Sequence, residues 1–124
     1  MIRRMDMPAP LPTDLSTPYV AVDLDVLDRN LRAMAVRATA QGLALRPHAK
    51  THKCLQIARR QIEIGAVGLT VATVSEAEVF AKAGFTDLFI AYPVWASPAR
   101  AARLRALAEQ VSHRICCRDS GRFA

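Results

Sequence analysis

From Pro18 onward the apolar pattern changes period repeatedly. Short runs rich in β-branched and aromatic residues alternate with longer stretches whose apolar residues recur at helical spacing. A chain patterned this way is confined to βα units, because parallel strands must be joined by crossovers and helices are the usual crossover. Residues 19–23 read as a first strand, followed by a helix to about Gln41 carrying Val26, Leu27, Asn30, Leu31, Met34 and Ala38 on one side. Asp25 is its expected N-cap, and Gly42 its stop, since glycine enters the left-handed conformation cheaply. A second strand over 43–46 ends at Pro47, and a helix over 51–64 closes at Gly65. The next strand covers 68–73, and Ser75 with Glu78 forms a capping box for a helix closing at Gly84. Residues 87–92 are a further strand, Ser97 and Pro98 start a helix running to about Gln110, and 113–117 form the last strand.

Counted from Leu43, four strands are each joined to the next by one helix, with short links that favour right-handed crossovers. A small open sheet and half of an eight-stranded barrel share this order. A complete (β/α)8 barrel takes roughly 250 residues, so 124 residues cannot close one. The expected fold is therefore α/β, the N-terminal part of a barrel truncated after about four strands.

The chain is 52% hydrophobic and 23% charged, which suits one domain or one piece of a domain. Its net charge of +6 comes from arginines scattered over several helices, not massed in one run, and only 6% of residues are aromatic. Solvated basic helix faces explain that balance better than nucleic-acid binding does. Cys54, Cys116 and Cys117 are odd in number and lack metal-ligand spacing, which speaks against a disulfide framework and for a reducing cytosol. Residues 1–17, broken by Pro8, Pro10 and Pro12, read as a flexible leader, and the partial barrel domain is expected over 18–124. Nowhere is there a run near the ~20 apolar residues of a membrane span.

The segment with the most chemistry is Arg46-Pro47-His48-Ala49-Lys50-Thr51-His52-Lys53, lying between a strand and a helix. In barrels and open α/β sheets that junction falls on the face where active sites are built. A lysine there condenses with an aldehyde only as the free amine, so its reference pKa of about 10.4 must be offset. Arg46 and Lys53 are nearby positive charges expected to favour the neutral form, and His48 and His52 could relay protons or orient a cofactor. A solvated basic loop is the plain alternative. His48 and His52 stand four apart, as paired metal ligands do on helices, but the glutamate that zinc hydrolases place between them is missing. No metal ligand is assigned.

The segments TPYVAVDLDVLDRNL, LRPHAKTHK, IARRQIEIGAVG, ATVSEAEVFAKAG and DLFIAYPV, in this order over about residues 17–95, resemble the N-terminal region of D-threonine aldolases and D-serine dehydratases. These are alanine racemase-like enzymes of pyridoxal 5'-phosphate (PLP), of fold type III. The resemblance implies a PLP-binding barrel in which Lys50, not Lys53, forms the Schiff base with the cofactor, with His48, Thr51 and His52 around it. It also implies a lyase acting on D-amino acids that bear a β-hydroxyl, active as a homodimer. A divalent metal belongs to the full-length relatives, but no position here receives its ligands. A PLP carrier without a substrate reaction is the alternative function, and a chain of this length on its own is expected to be inactive. Beyond Arg114 the likeness fades.

Overall fold

A computed structural model describes residues 14, 16 and 18–118, the side chains of 112–118 excepted. The leader expected over 1–17 lies outside the described residues but for Asp14 and Ser16. Helix α1 (Leu24–Ala40) is followed by a 3-10 turn (Ala49–Thr51), α2 (Leu55–Glu63), β1 (Leu69–Val71), α3 (Val74–Lys82), β2 (Asp87–Trp95), α4 (Pro98–Ala108) and β3 (Ser112–Arg118). The three strands form one parallel sheet in the order β1-β2-β3, with Leu69 opposite Leu88 and Leu88 opposite His113. This is the βαβαβ order that the alternating pattern demands.

The core lies where the sheet meets α3 and α4. Leu69, Val71, Leu88 and Ile90 are fully buried, and Val74, Ala77 and Phe80 from α3 and Leu104 and Leu107 from α4 pack with them. Each Val, Leu, Ile or Phe side chain so covered contributes about 1.5–3 kcal/mol. Strands buried on a helix-covered sheet read as short apolar runs, and β1 is buried at all three positions.

Several boundaries differ from the expected ones for local reasons. Residues 19–23 belong to no strand. They lead into α1, whose N-cap is Asp23 and not Asp25: Asp23 Oδ1 accepts from the Asp25 and Val26 amides, both at 3.0 Å. Residues 43–46 do not form a strand either. They run beside β1 through Val67 N donating to Leu45 O and Thr70 N donating to Pro47 O, and the pairing shrinks to one parallel bridge, His48 with Thr70. Pro47 has no amide to donate, which interrupts a ladder at that point.

The helix expected over 51–64 is split. Lys53 takes a left-handed φ of 48°, and its amide, like that of His52, donates to Ala49 O, at 2.9 Å, just past the 3-10 turn. The chain then turns through an extended Cys54 before α2 begins. The N-cap of α3 sits two residues earlier than expected: Thr73 Oγ1, not Ser75, accepts from the Glu76 amide. Strand β2 runs on to Trp95, with an irregular register against β3 between Ile90 and Val94, where Pro93 again lacks a donor. Ser97 and Pro98 start α4 as expected, and Gly42, Gly65 and Gly84 all hold the positive φ of helix stops.

Candidate functional site

The segment 46–53 crosses the sheet from one end to the other. At its start, Arg46 makes a two-pronged contact with Asp87, Nη1 to Oδ1 at 2.8 Å and Nη2 to Oδ2 at 2.7 Å. Asp87 opens β2, so this pair marks the amino-terminal edge of the sheet. Gly68 leaves the space for it, since a Cβ there would overlap Arg46 Nη1 and lie 2.6 Å from Asp87 O. Next, His48 pairs with the middle of β1 at Thr70. The residues after His48 therefore emerge at the carboxyl ends of the strands, where open α/β sheets and barrels bind ligands.

In the 3-10 turn Ala49 is buried and Lys50 is exposed. His48 Nδ1 accepts from the Lys50 amide at 3.3 Å, and Thr51 Oγ1 donates to His48 O at 3.4 Å. With Nδ1 accepting, the proton of the neutral ring sits on Nε2. Burial, and then the charge of Lys50, hold His48 below the ordinary histidine value, against the opposing pull of Glu76. The ring thus fixes the turn as a neutral imidazole.

The two lysines of the segment have different surroundings. Lys53 Nζ lies 3.1 Å from Glu76 Oε1, whose side chain is largely buried. Lys50 Nζ has no hydrogen bond or ion pair among the described residues. Arg46 and Lys53, the nearby positive charges expected to favour a neutral Lys50, are each matched by a carboxylate.

His52 faces inward. Its Nδ1 accepts from the Cys54 amide at 3.0 Å, while its buried Nε2 and the buried Oε1 of Gln61 reach no partner in hydrogen-bonding geometry among the described residues. Burial lowers the His52 pKa more than the nearby Gln61 and the Cys54 backbone raise it.

Glu76 is the site residue that the sequence reading left out. Its Oε2 accepts from the Ala72 amide at 2.7 Å, at the end of β1, while Oε1 holds Lys53. Burial pushes this carboxyl up, but the Ala72 amide and the Lys53 ammonium more than reverse that, so it stays ionised below the usual carboxylate range. The signal was present: Thr73-Val74-Ser75-Glu76 is itself a capping-box pattern, in competition with the one starting at Ser75.

A cleft of about 260 Å³ opens between the ends of β1 and β2 and the first turns of α3 and α4, with Thr73, Ser75, Tyr92 and Arg103 among its walls. Arg103 is held there by Glu78, and it also donates to Ser75 Oγ at 2.9 Å. Ser75 is thereby a hydrogen-bond acceptor on the surface. Among the described residues no group of three or more His, Cys, Asp or Glu side chains could hold a metal ion, and no helix is long and apolar enough to cross a membrane.

Residues 22–119 match the family model of the alanine racemase N-terminal domain. D-threonine aldolase of an Arthrobacter species is 41% identical over 94% of this chain, and D-threo-3-hydroxyaspartate dehydratase of Delftia sp. (strain HT23) is 48% identical over 62% of it. The crystal structure of D-threonine aldolase from Filomicrobium marinum superposes on 93% of the chain with a TM-score of 0.83 at 42% identity. The chain spans 32% of the length of the Arthrobacter relative and of the Filomicrobium structure. Its alternating strands and helices are those of the N-terminal part of a (β/α) barrel. On both sequence and structure, the chain belongs to the alanine racemase N-terminal domain family.

Proposed function

We propose that the chain is the N-terminal, cofactor-carrying part of a PLP-dependent lyase for D-amino acids with a β-hydroxyl, of the D-threonine aldolase or D-serine dehydratase type, and that Lys50 holds the cofactor. One observation carries this reading. Lys50 presents a primary amine, unpartnered among the described residues, at the carboxyl ends of a parallel sheet, while Lys53 three residues on is occupied by Glu76. An aldehyde needs such an amine, and an ion-paired one would have to be released first.

The residues present fit the cofactor. Lys50 would bind it, His48 and Thr51 would keep the lysine's turn in shape through their hydrogen bonds, and the inward-turned His52 would support the turn from below. Bound PLP supplies an electron sink for the pair released at the substrate's α-carbon. The described residues offer no ligand set for a divalent metal, so a metal-assisted step would draw its ligands from elsewhere in a longer enzyme. We place the enzyme in the cytosol, as a homodimer at full length, and expect the 124 residues alone to turn over no substrate.

The test is PLP titration followed by borohydride fixation and peptide mapping, on the chain and on a version joined to the remaining portion of its relatives. Label on Lys50, lost in Lys50→Ala and kept in Lys53→Ala, supports the reading. Label that persists on another lysine in Lys50→Ala overturns it. Release of glycine from D-threonine or of ammonia from D-serine identifies the reaction, and bound PLP with neither product favours a carrier.

A further inference from the structure

The segment that bears Lys50 is tied down at both ends by ion pairs of opposite placement. Arg46 is fixed to Asp87 at the amino-terminal edge of the sheet, and Lys53 to Glu76 at the carboxyl edge. Between them the chain is held by the Thr70 amide on Pro47 O, one bridge at His48, the buried Ala49 and a single turn of three residues. A 3-10 turn this short is poorly self-supporting, so its orientation depends on what holds its ends.

The carboxyl end is the more demanding of the two. Lys53 sits in the left-handed region, where a side chain is disfavoured and glycine is the usual occupant. From that position its ammonium reaches Glu76. The same carboxylate accepts the Ala72 amide at the end of β1, lies three residues past the Thr73 N-cap of α3, and acts electrostatically on His48. Three pieces of the mouth therefore converge on one side chain: the strand end, the helix start and the lysine turn.

We infer that Glu76, through Lys53, is a positioning residue that holds the Lys50 turn in place for cofactor capture. This rests on the reading of Lys50 as the PLP lysine. Glu76→Gln keeps an oxygen for the Ala72 amide and removes the charge that holds Lys53. Lys53→Gly removes the ammonium while relieving the left-handed backbone, so its thermal midpoint is expected to equal or exceed that of the parent, whereas a purely structural role for the pair would lower it. Lys53→Arg keeps the pair.

The experiment measures the rate at which added PLP becomes borohydride-fixed to Lys50, by peptide mapping, together with the thermal midpoint without PLP. Slower capture by about tenfold in Glu76→Gln and Lys53→Gly, with Lys53→Arg near the parent and Lys53→Gly no less stable, is expected, as misplacing a reactive group by a fraction of an ångström costs on that order. Capture at parental rates in Lys53→Gly overturns the inference and leaves Lys50 standing. Label found away from Lys50 in the parent overturns the Lys50 reading, and the positioning role with it. Should Glu76→Gln fail to fold, Lys53→Gly and Lys53→Arg decide the matter between them.

Discussion

Replacing Gly68 with alanine tests how the amino-terminal edge of the sheet fixes the segment that carries Lys50. The new methyl would overlap Arg46 Nη1 and stand 2.6 Å from the main-chain oxygen of Asp87 and 2.9 Å from its Cγ. Ordinary carbon contacts begin near 3.5 Å, so something must move. Asp87 O belongs to a strand whose next residue, Leu88, is in register with Leu69, and cannot retreat without opening the β1–β2 pairing. The Arg46 fork is softer and would withdraw first. Overpacking of this kind costs about 1–3 kcal/mol. The lost ion pair adds about 1 kcal/mol at most, because its side chains remain 21% and 36% exposed and water screens them. A total of about 1–4 kcal/mol is expected, read as a lower urea midpoint with an unchanged slope. In an Arg46→Ala background the fork is already gone, and Gly68→Ala should then cost at least about 1 kcal/mol less, the coupling expected of residues in contact. A loss under about 0.5 kcal/mol, or equal losses in both backgrounds, would refute the steric argument.

Thr73→Ala is expected to lower stability by about 1 kcal/mol through loss of the α3 cap, while Ser75→Ala leaves the urea midpoint nearly unchanged; the reverse order would restore the Ser75 capping box. Because burial holds His52 and His48 below the ordinary histidine value, the unfolded chain takes up their protons first as pH falls. Their contribution is thus complete above about pH 6.5 and declines as the pH drops through that value toward the folded-state pKa, so the urea midpoint should fall between pH 7.5 and 5.5. His52→Gln should flatten that fall, and a midpoint independent of pH would contradict the burial argument.

Much of this arrangement could be read from residue patterns, and what could not has specific causes. The βα order and the helix stops at Gly42, Gly65 and Gly84 follow from periodicity and from backbone conformations that few residues adopt readily. The Ser97-Pro98 start of α4 was equally plain, since both residues act within one turn. Where the expectation failed, two local signals competed, as Thr73 did with Ser75 and Asp23 with Asp25, and in each case the earlier residue is the cap. The break at Lys53 was hidden because a lysine does not advertise a left-handed φ. It became visible only with Glu76 beside it, a contact across 23 positions of sequence that no local pattern encodes. The segment holding Lys50 and Lys53 stood out by its place between an expected strand and a helix, and the family resemblance singled out Lys50, whereas the partners of its neighbours, Asp87 and Glu76, depended on the folded chain.

Helix α1 buries none of its 17 residues; only one side, including Leu27, Leu31, Ala35 and Ala38, is even partly covered. Unwinding it would leave the β1–β2 core packed, so its backbone amides should take up deuterium through local opening, well before those of Leu88 and Ile90, which are shielded until the sheet itself separates. A segment with that freedom can adjust its angle to whatever lies against it without disturbing the platform under Lys50.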